Sequence, residues 1–380
     1  MSTYDIAKFY HSKFNAKPEV IMQSPGRINI IGEHTDYNLG YVLPAAINHY
    51  MFIGVSSNGS NQVNLHSIDY QQDESISLDK VERTENGWLN LISGVVNQLK
   101  ERIGGFDLAF GGNIPEGAGV SSSAALCCGV ASALSELYGL GLEKWEIAKI
   151  AQKSEHEFAL VKCGIMDQFA CLFGLKDHVL LLNCESYEYE ESKVDIAGYK
   201  FLLVNSNVKH SLGDSAYNTR RDESTRALEQ VKKKYPEVKT YQDVTSAMLH
   251  EMTDELEEVL WKRAFHVVSE NERVFEMKDS LKSKDQQKVG ELLSQGHVSL
   301  KDNFEVTCAE TDYLVASLEN QASVLGARQV GGGFGGCILA LVQDTDLDQL
   351  LAPIREAYKT KFDLELDNIP VQLSQGCHRI

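Results

Sequence analysis

Residues 111–139, GGNIPEGAGVSSSAALCCGVASALSELYG, carry the strongest chemical signal in the chain. Gly117 and Gly119 let the backbone adopt unusual turns and come close to a ligand. Ser121, Ser122 and Ser123 fall where a helix begins, and the small residues behind them let that helix be buried closely. The first turn of a helix has unpaired N–H groups at the positive end of its dipole. Gly117, Ala118, Gly119, Val120 and the three serines therefore form an anion cradle suited to phosphate. An ordinary serine-capped helix shares part of this pattern, but it does not call for Gly-x-Gly ahead of three serines. No lysine follows, unlike the G-x-x-x-x-G-K-[ST] loop. Charge on a bound phosphate would have to be met by a metal ion and by other side chains.

Two acids stand out downstream. In EKWEIAKIAQKSEHEFAL, Ile147, Ala151, Glu155 and Phe158 share one helix face, so Glu155 interrupts an apolar stripe. A buried carboxylate needs a cation or strong donors, and magnesium takes hard oxygen ligands beside phosphate. A glutamate reaching to solvent from the edge of the stripe fits the spacing equally well. In CGIMDQFACLFG, Asp167 is the single acid in an apolar run. It is costly there unless paired, and Arg27 is the expected partner, keeping it charged. Asp167 as a helix cap is the alternative. Arg27 itself belongs to a polar cluster set in strand-like sequence: Arg27, Glu33, His34 and Asp36, with Gly26, Gly32 and Gly40 between them.

These residues need elements to hold them. Residues 1–19 read as a short amphipathic helix, and the pattern from Val20 to about Leu78 is β. Helices are expected at about 88–103, 120–138 (with Gly139 ending it) and 143–160. HVLLLNCE and YKFLLVNSNV read as strands, residues 218–320 as mostly helical, and CILALV and IPVQLSQ as strands around a helix near 346–362. In GARQVGGGFGGCILALV, five glycines surround Phe334 just before a strand, which fits close packing against a backbone or ligand, or simply a flexible turn. The order is mixed α+β rather than regular βαβα alternation. At 380 residues, two domains are expected, 1–205 and 206–380.

Composition excludes some roles. Asp and Glu number 54 against 36 Lys and Arg, a formal charge of −18. Such a chain repels nucleic acid and anionic membrane, so neither is an expected partner. The eight cysteines form no C-x-x-C pair and read as reduced thiols. No apolar run approaches the length of a membrane span and the N-terminus has no apolar signal core, so a cytoplasmic location is expected.

The motifs together resemble a known family. SPGRINIIGEHTDYNLGYVLP closely resembles the galactokinase signature. PEGAGVSSSAAL resembles the ATP-binding motif of the wider galacto-, homoserine, mevalonate and phosphomevalonate (GHMP) kinase superfamily, and GGGFGGC its third motif. CGIMDQF, SAYNTRR, HVVSEN and LKDNFEV match further segments, in the family's order. The chain departs from the pattern at Leu39, where Gly or Asp is common, at Gln329–Val330, where Met-Thr is usual, and at Ala309, where Pro is frequent.

The resemblance implies a two-domain GHMP kinase fold. The N-terminal domain would be like ribosomal protein S5, the C-terminal domain ferredoxin-like, with the active site between them. It implies phosphoryl transfer from MgATP to the C1 hydroxyl of α-D-galactose; a monomer is the expected state. Carried over by position, Asp167 would be the catalytic base and Arg27 would orient it. Glu33, His34, Thr35, Asp36, Gly164 and Tyr217 would bind the sugar. Gly117 through Ser123 would hold the phosphates of ATP, Ser123 and Glu155 would bind Mg2+, and Ser67 would lie near the nucleotide. A kinase for N-acetylgalactosamine, galacturonate or arabinose, or a catalytically silent sugar sensor, would share much of this pattern.

Overall fold

In the strand Val20–Asn29 burial alternates at first and becomes continuous from Ser24 onward. The second half of the strand is therefore covered on both faces, and it carries Arg27. The computed structural model describes residues 3–115, 117–208, 213–344 and 346–380. This strand lies second in a six-stranded sheet, ordered His378–Arg379, Val20–Asn29, Pro44–Ser57, Phe106–Gly112, Gln62–Ser67 and Gln72–Ser77. All neighbours are antiparallel except Gln62–Ser67 with Phe106–Gly112. The helix Ser122–Leu137 packs across one face with Gly87–Leu99 and Lys144–Ser154. Its small residues are required there: a Cβ on Gly129 would lie 2.3 Å from Ile53 and 3.0 Å from Ser24. The helix Thr3–Phe14 covers the other face through Ile6 and Tyr10; residues 1 and 2 of the expected first helix lie outside the described residues.

A second sheet is fully antiparallel, in the order Val324–Gln329, Cys337–Gln343, Tyr199–Asn205 and Asp367–Pro370. Its strands alternate with period two. Leu202, Val204, Ile338 and Ala340 face the helices Ala309–Glu319 and Leu347–Phe362. Phe201, Leu203, Leu339 and Leu341 join a core shared with Ile28, Ile30 and Leu43 of the first unit and with Met277 and Leu292 of the long helices. The two sheets are thus fused through one apolar seam. An expected division after residue 205 falls at the end of Tyr199–Asn205, whose partners all lie C-terminal to it, while His378–Arg379 return to the first sheet. A small third sheet pairs Tyr41–Val42, His178–Asn183 and Tyr189–Lys193.

The expected helix over 143–160 ends at Ser154, and Glu155–Ala159 form one wider π turn. Single π turns of this kind are frequent at functional sites. All eight cysteines are free thiols. Among the described residues no helix is long and apolar enough to cross a membrane.

Candidate active site

The carbonyl of Val120 accepts the backbone N–H of Arg27 at 3.0 Å, which joins the serine loop to the first sheet. The contact needs Gly26, because a Cβ there would lie 2.7 Å from that same oxygen. The strand register shifts between Pro25 and Arg27, and the arginine turns into a cleft of about 620 Å3. Its Nε and Nη2 donate to the two oxygens of Asp167 at 2.7 and 2.6 Å, and Nη1 donates to the Gly119 carbonyl at 2.5 Å. Asp167 sits in the first turn of the helix Met166–Phe173. Burial opposes the Arg27 charge, but Asp167 outweighs it and holds the guanidinium above its ordinary pKa. A bidentate pair of this kind fixes both partners in orientation.

The serine loop does not cap its helix in the usual way. Ser121 takes a left-handed conformation, φ 61° and ψ 56°, and makes no side-chain cap. Its hydroxyl instead donates to Asp167. Gly117 and Gly119 are also left-handed, at φ 70° and 71°. Gly119 lies against Gly331 of the third glycine motif, where a Cβ on either residue would come within 3.1–3.2 Å of the other segment's backbone. Gly117 through Ser123 line the cleft, and Ser122 and Ser123 also line a second cavity that Trp88, Tyr70 and Phe110 flank.

On the opposite wall Glu33, His34 and Asp36 project from the loop after the first strand. Glu33 accepts from Asn29 at 2.8 Å and from the Gly331 N–H at 3.2 Å, and pairs with Arg328. Burial pushes its carboxyl up to about 7 against the pull of Arg328. The imidazole of His34 meets the Tyr37 hydroxyl at 2.8 Å through Nδ1, while its buried Nε2 has no partner among the described residues. Burial, then the nearby His266, hold its pKa well below the ordinary value, so the ring is neutral. A neutral imidazole nitrogen left unpaired in a cleft is suited to a ligand hydroxyl. Tyr217 closes this wall, its ring 5.4 Å from that of His34. Burial, then Asp167, raise the Asp36 carboxyl to about 6. Gly164 is pressed on Asp36, where a Cβ would lie 2.0 Å from Oδ2.

Glu155 lines the cleft from the π turn. It accepts from Gln168 at 3.1 Å, and burial, then Asp167, push it up to about 7. The hydroxyl of Ser123 and the carboxylate of Glu155 offer hard oxygens, which fits a divalent cation that completes its shell with water and phosphate. Among the described residues no three His, Cys, Asp or Glu are grouped to hold a metal by themselves, so such an ion would depend on substrate oxygens.

The model of the galactokinase galactose-binding signature matches residues 8–57. Those of the GHMP kinase N-terminal and C-terminal domains match residues 90–175 and 277–360. A galactokinase of Thermotoga maritima is 41% identical over 362 residues, covering 94% of this chain and 99% of that one. A Bacillus subtilis galactokinase is 35% identical over 370 residues, covering 94% and 93%. The chain belongs to the galactokinase family. The crystal structure of Lactococcus lactis galactokinase, complexed with galactose, superposes with a TM-score of 0.95 at 33% identity, covering 99% of each chain. The fold is thus the two-domain GHMP kinase fold expected from the motifs.

In this cleft, Arg27, Glu33, His34, Asp36, Glu155, Asp167, Tyr217 and the whole stretch Gly117–Ser123 come together. Three expected contacts do not: Gly164 sits behind Asp36 without lining the cleft, and Thr35 and Ser67 turn elsewhere. The Thr35 hydroxyl points away and donates to the carbonyls of Gly32, at 2.8 Å, and Tyr41, at 2.6 Å, so it closes the loop instead of lining the wall. Ser67 is wholly buried at the end of its strand, where its hydroxyl accepts the Tyr70 N–H at 3.4 Å. Leu39 adopts φ 59°, the conformation that Gly or Asp takes more easily.

Sequence reasoning missed the charges behind the wall that carries Glu33. Arg328, fully buried, bridges Glu33 and Glu270. Glu270 accepts the N–H groups of Gly32 at 2.9 Å and Glu33 at 3.3 Å, and pairs with Arg273 at 2.7 Å. Burial works against its charge, but Arg273, His266 and Arg328 bring its pKa down to about 2. His266 donates through Nε2 to the Glu33 carbonyl at 3.0 Å. Arg328 carried the same signal as Asp167, a lone charge in an otherwise uncharged run, here within a strand.

Proposed function

We propose that this member of the galactokinase family transfers the γ-phosphoryl group of ATP to the C1 hydroxyl of α-D-galactose, giving α-D-galactose 1-phosphate and ADP. One observation carries the reading: the Arg27–Asp167 pair and the serine-tipped helix share a single cleft. In the reaction the C1 oxygen bonds to the γ-phosphorus, the bond to the β–γ bridging oxygen breaks, and ADP leaves with that electron pair. The hydroxyl proton passes to Asp167. Arg27 keeps that carboxylate aimed and lies where charge builds on the transferring group. The N–H groups and hydroxyls of the 117–123 loop bind the phosphates.

Glu33, His34, Asp36 and Tyr217 meet the sugar hydroxyls. A carboxylate has about four acceptor positions, and the protein fills three on Glu33, which leaves one for substrate. A polar ligand is selected strongly by such a site, since any missing partner leaves a buried group unpaired. Ser123 and Glu155 would hold Mg2+, which supplies charge neutralisation on the phosphates.

The Arg27–Asp167 pair and the 117–123 loop come from one chain, which supports a monomer as the active unit. The free thiols support a cytoplasmic, reducing location. The pairing of Tyr199–Asn205 supports drawing the division between the two domains ahead of that strand.

The test is a sugar panel with coupled ADP detection, comparing galactose, N-acetylgalactosamine, galacturonate and arabinose. Galactose is expected to give the highest kcat/KM. Preference for another sugar would move the acceptor assignment, and no ADP from any of them would favour a silent sensor.

A further inference from the structure

Acidic side chains outnumber basic ones on the wall of the cleft. Glu33, Asp36, Glu155 and Asp167 face it against only Arg27 and Arg83, and no lysine lines it among the described residues. The adjoining cavity beside Trp88 adds Asp69 and Glu85 and no cation. A triphosphate entering there meets four or more carboxylates. Arg27 is already engaged at all three guanidinium nitrogens, by Asp167 and the Gly119 carbonyl.

Arg83 is placed differently. It lies on the loop ahead of the helix Gly87–Leu99, and its Nε donates to the Phe158 carbonyl at 2.8 Å. Phe158 belongs to the π turn that begins at Glu155. That single bond pins the root of the guanidinium, while Nη1 and Nη2 have no protein partner among the described residues. Among the described residues no carboxylate pairs with it, although neighbouring Lys80 pairs with Glu82 at 3.1 Å. An arginine on an acidic chain, anchored through Nε at the edge of an acid-lined cleft, presents an open fork of donors. That fork matches the geometry of phosphate oxygens.

We propose that Arg83 is a nucleotide-binding residue that clamps the polyphosphate of ATP from the side opposite the serine loop. This deepens the kinase reading and rests on it. The contact supplies the mobile cation that the loop, having no lysine, lacks. It also ties nucleotide binding to the turn that carries Glu155.

The experiment is calorimetric titration of the full chain with ATP, ADP and AMP in the presence of Mg2+, for wild type, Arg83→Gln and Arg83→Lys. Arg83→Gln is expected to weaken ATP by about tenfold, the scale of one charge-assisted contact, and to leave AMP unchanged. Arg83→Lys should fall between wild type and glutamine. The KM for galactose and the Tm should not move, and the ATP difference should narrow with added salt. Equal ATP affinity in Arg83→Gln overturns the assignment. So does an equal loss of AMP, which would point to a distorted base pocket, or a lysine variant as weak as glutamine, which would make the carbonyl anchor and not the charge responsible. Wild-type chain that binds no ATP would instead sink the kinase reading itself.

Discussion

On the wall proposed to meet the sugar, residues Gly32–Gly40 are fastened by side chains from far along the chain. Glu270 holds the backbone of Gly32 across 238 residues of sequence, Asn271 accepts the Tyr41 N–H at 2.9 Å, and Arg328 grips Glu33. On the wall proposed to meet the nucleotide, residues Gly117–Ser123 are shaped by left-handed backbone at Gly117, Gly119 and Ser121 and by close backbone approach to Gly26 and Gly331. One wall is fixed by buried charge and the other by conformation. The difference matches the proposed ligands. A sugar must be told apart from its epimers by the placement of each hydroxyl, which calls for rigid, fully partnered groups. Phosphate is the same in every nucleotide and needs only donors and positive potential.

Where the two walls meet, at Asp167, substitution should have the largest effect. Asp167→Asn is expected to lower kcat by about 10^3, within the range of a lost proton acceptor, with the ATP dissociation constant nearly unchanged. Rapid-quench turnover and calorimetry measure the two. Near-normal turnover would remove Asp167 from the chemistry.

The contrast between the walls is tested next by stability. Arg328→Met strands Glu33 and Glu270 without their shared cation and should cost about 3–5 kcal/mol in urea unfolding. Ser123→Ala, on the other wall, should cost no more than about 0.5 kcal/mol. Equal losses would mean that the two walls are not built differently. Glu155→Gln should then raise the Mg2+ concentration for half-maximal rate by about tenfold, and an unchanged titration would count against Glu155 as a metal ligand.

The smallest effect is one of pH. Asp36 has its carboxyl raised to about 6 by burial and by Asp167. Above that pH it is an ionised acceptor for a sugar hydroxyl, and below it the carboxyl is protonated. The KM for galactose should therefore rise a few-fold, about the value of one hydrogen bond, between pH 7 and 5. Asp36→Asn should flatten that step. The same shift acts in the opposite sense on stability. The folded chain binds this proton more tightly than the unfolded chain, so the penalty of the buried charge is present above the folded pKa and fades as pH falls toward the unfolded value. A KM that rises while Tm holds separates the sugar effect from unfolding.

Much of this was legible in the sequence. Asp167 and Arg27 each broke an apolar pattern, and the structure joins them at 2.6–2.7 Å. Glu155 interrupted a helical stripe and is buried in the cleft, although the π turn that aims it was not foreseeable from a period of 3.6. Pairings across more than two hundred residues were not legible, because spacing reports only on neighbours along one element. Thr35 and Ser67 were carried over by position, and position does not say which way a hydroxyl points. Arg83 lies in a loop, where no periodicity marks a residue as facing inward.

The strand His378–Arg379 completes the edge of the first sheet, bonded to Met22 and Gln23 on the strand that bears Arg27. A growing polypeptide therefore cannot finish its earliest sheet until residue 379 has been made. A fragment ending near residue 205 would leave that edge open to pairing with other molecules. Synthesis order and assembly order are uncoupled here, and a chain truncated before that point would emerge from the ribosome prone to aggregate.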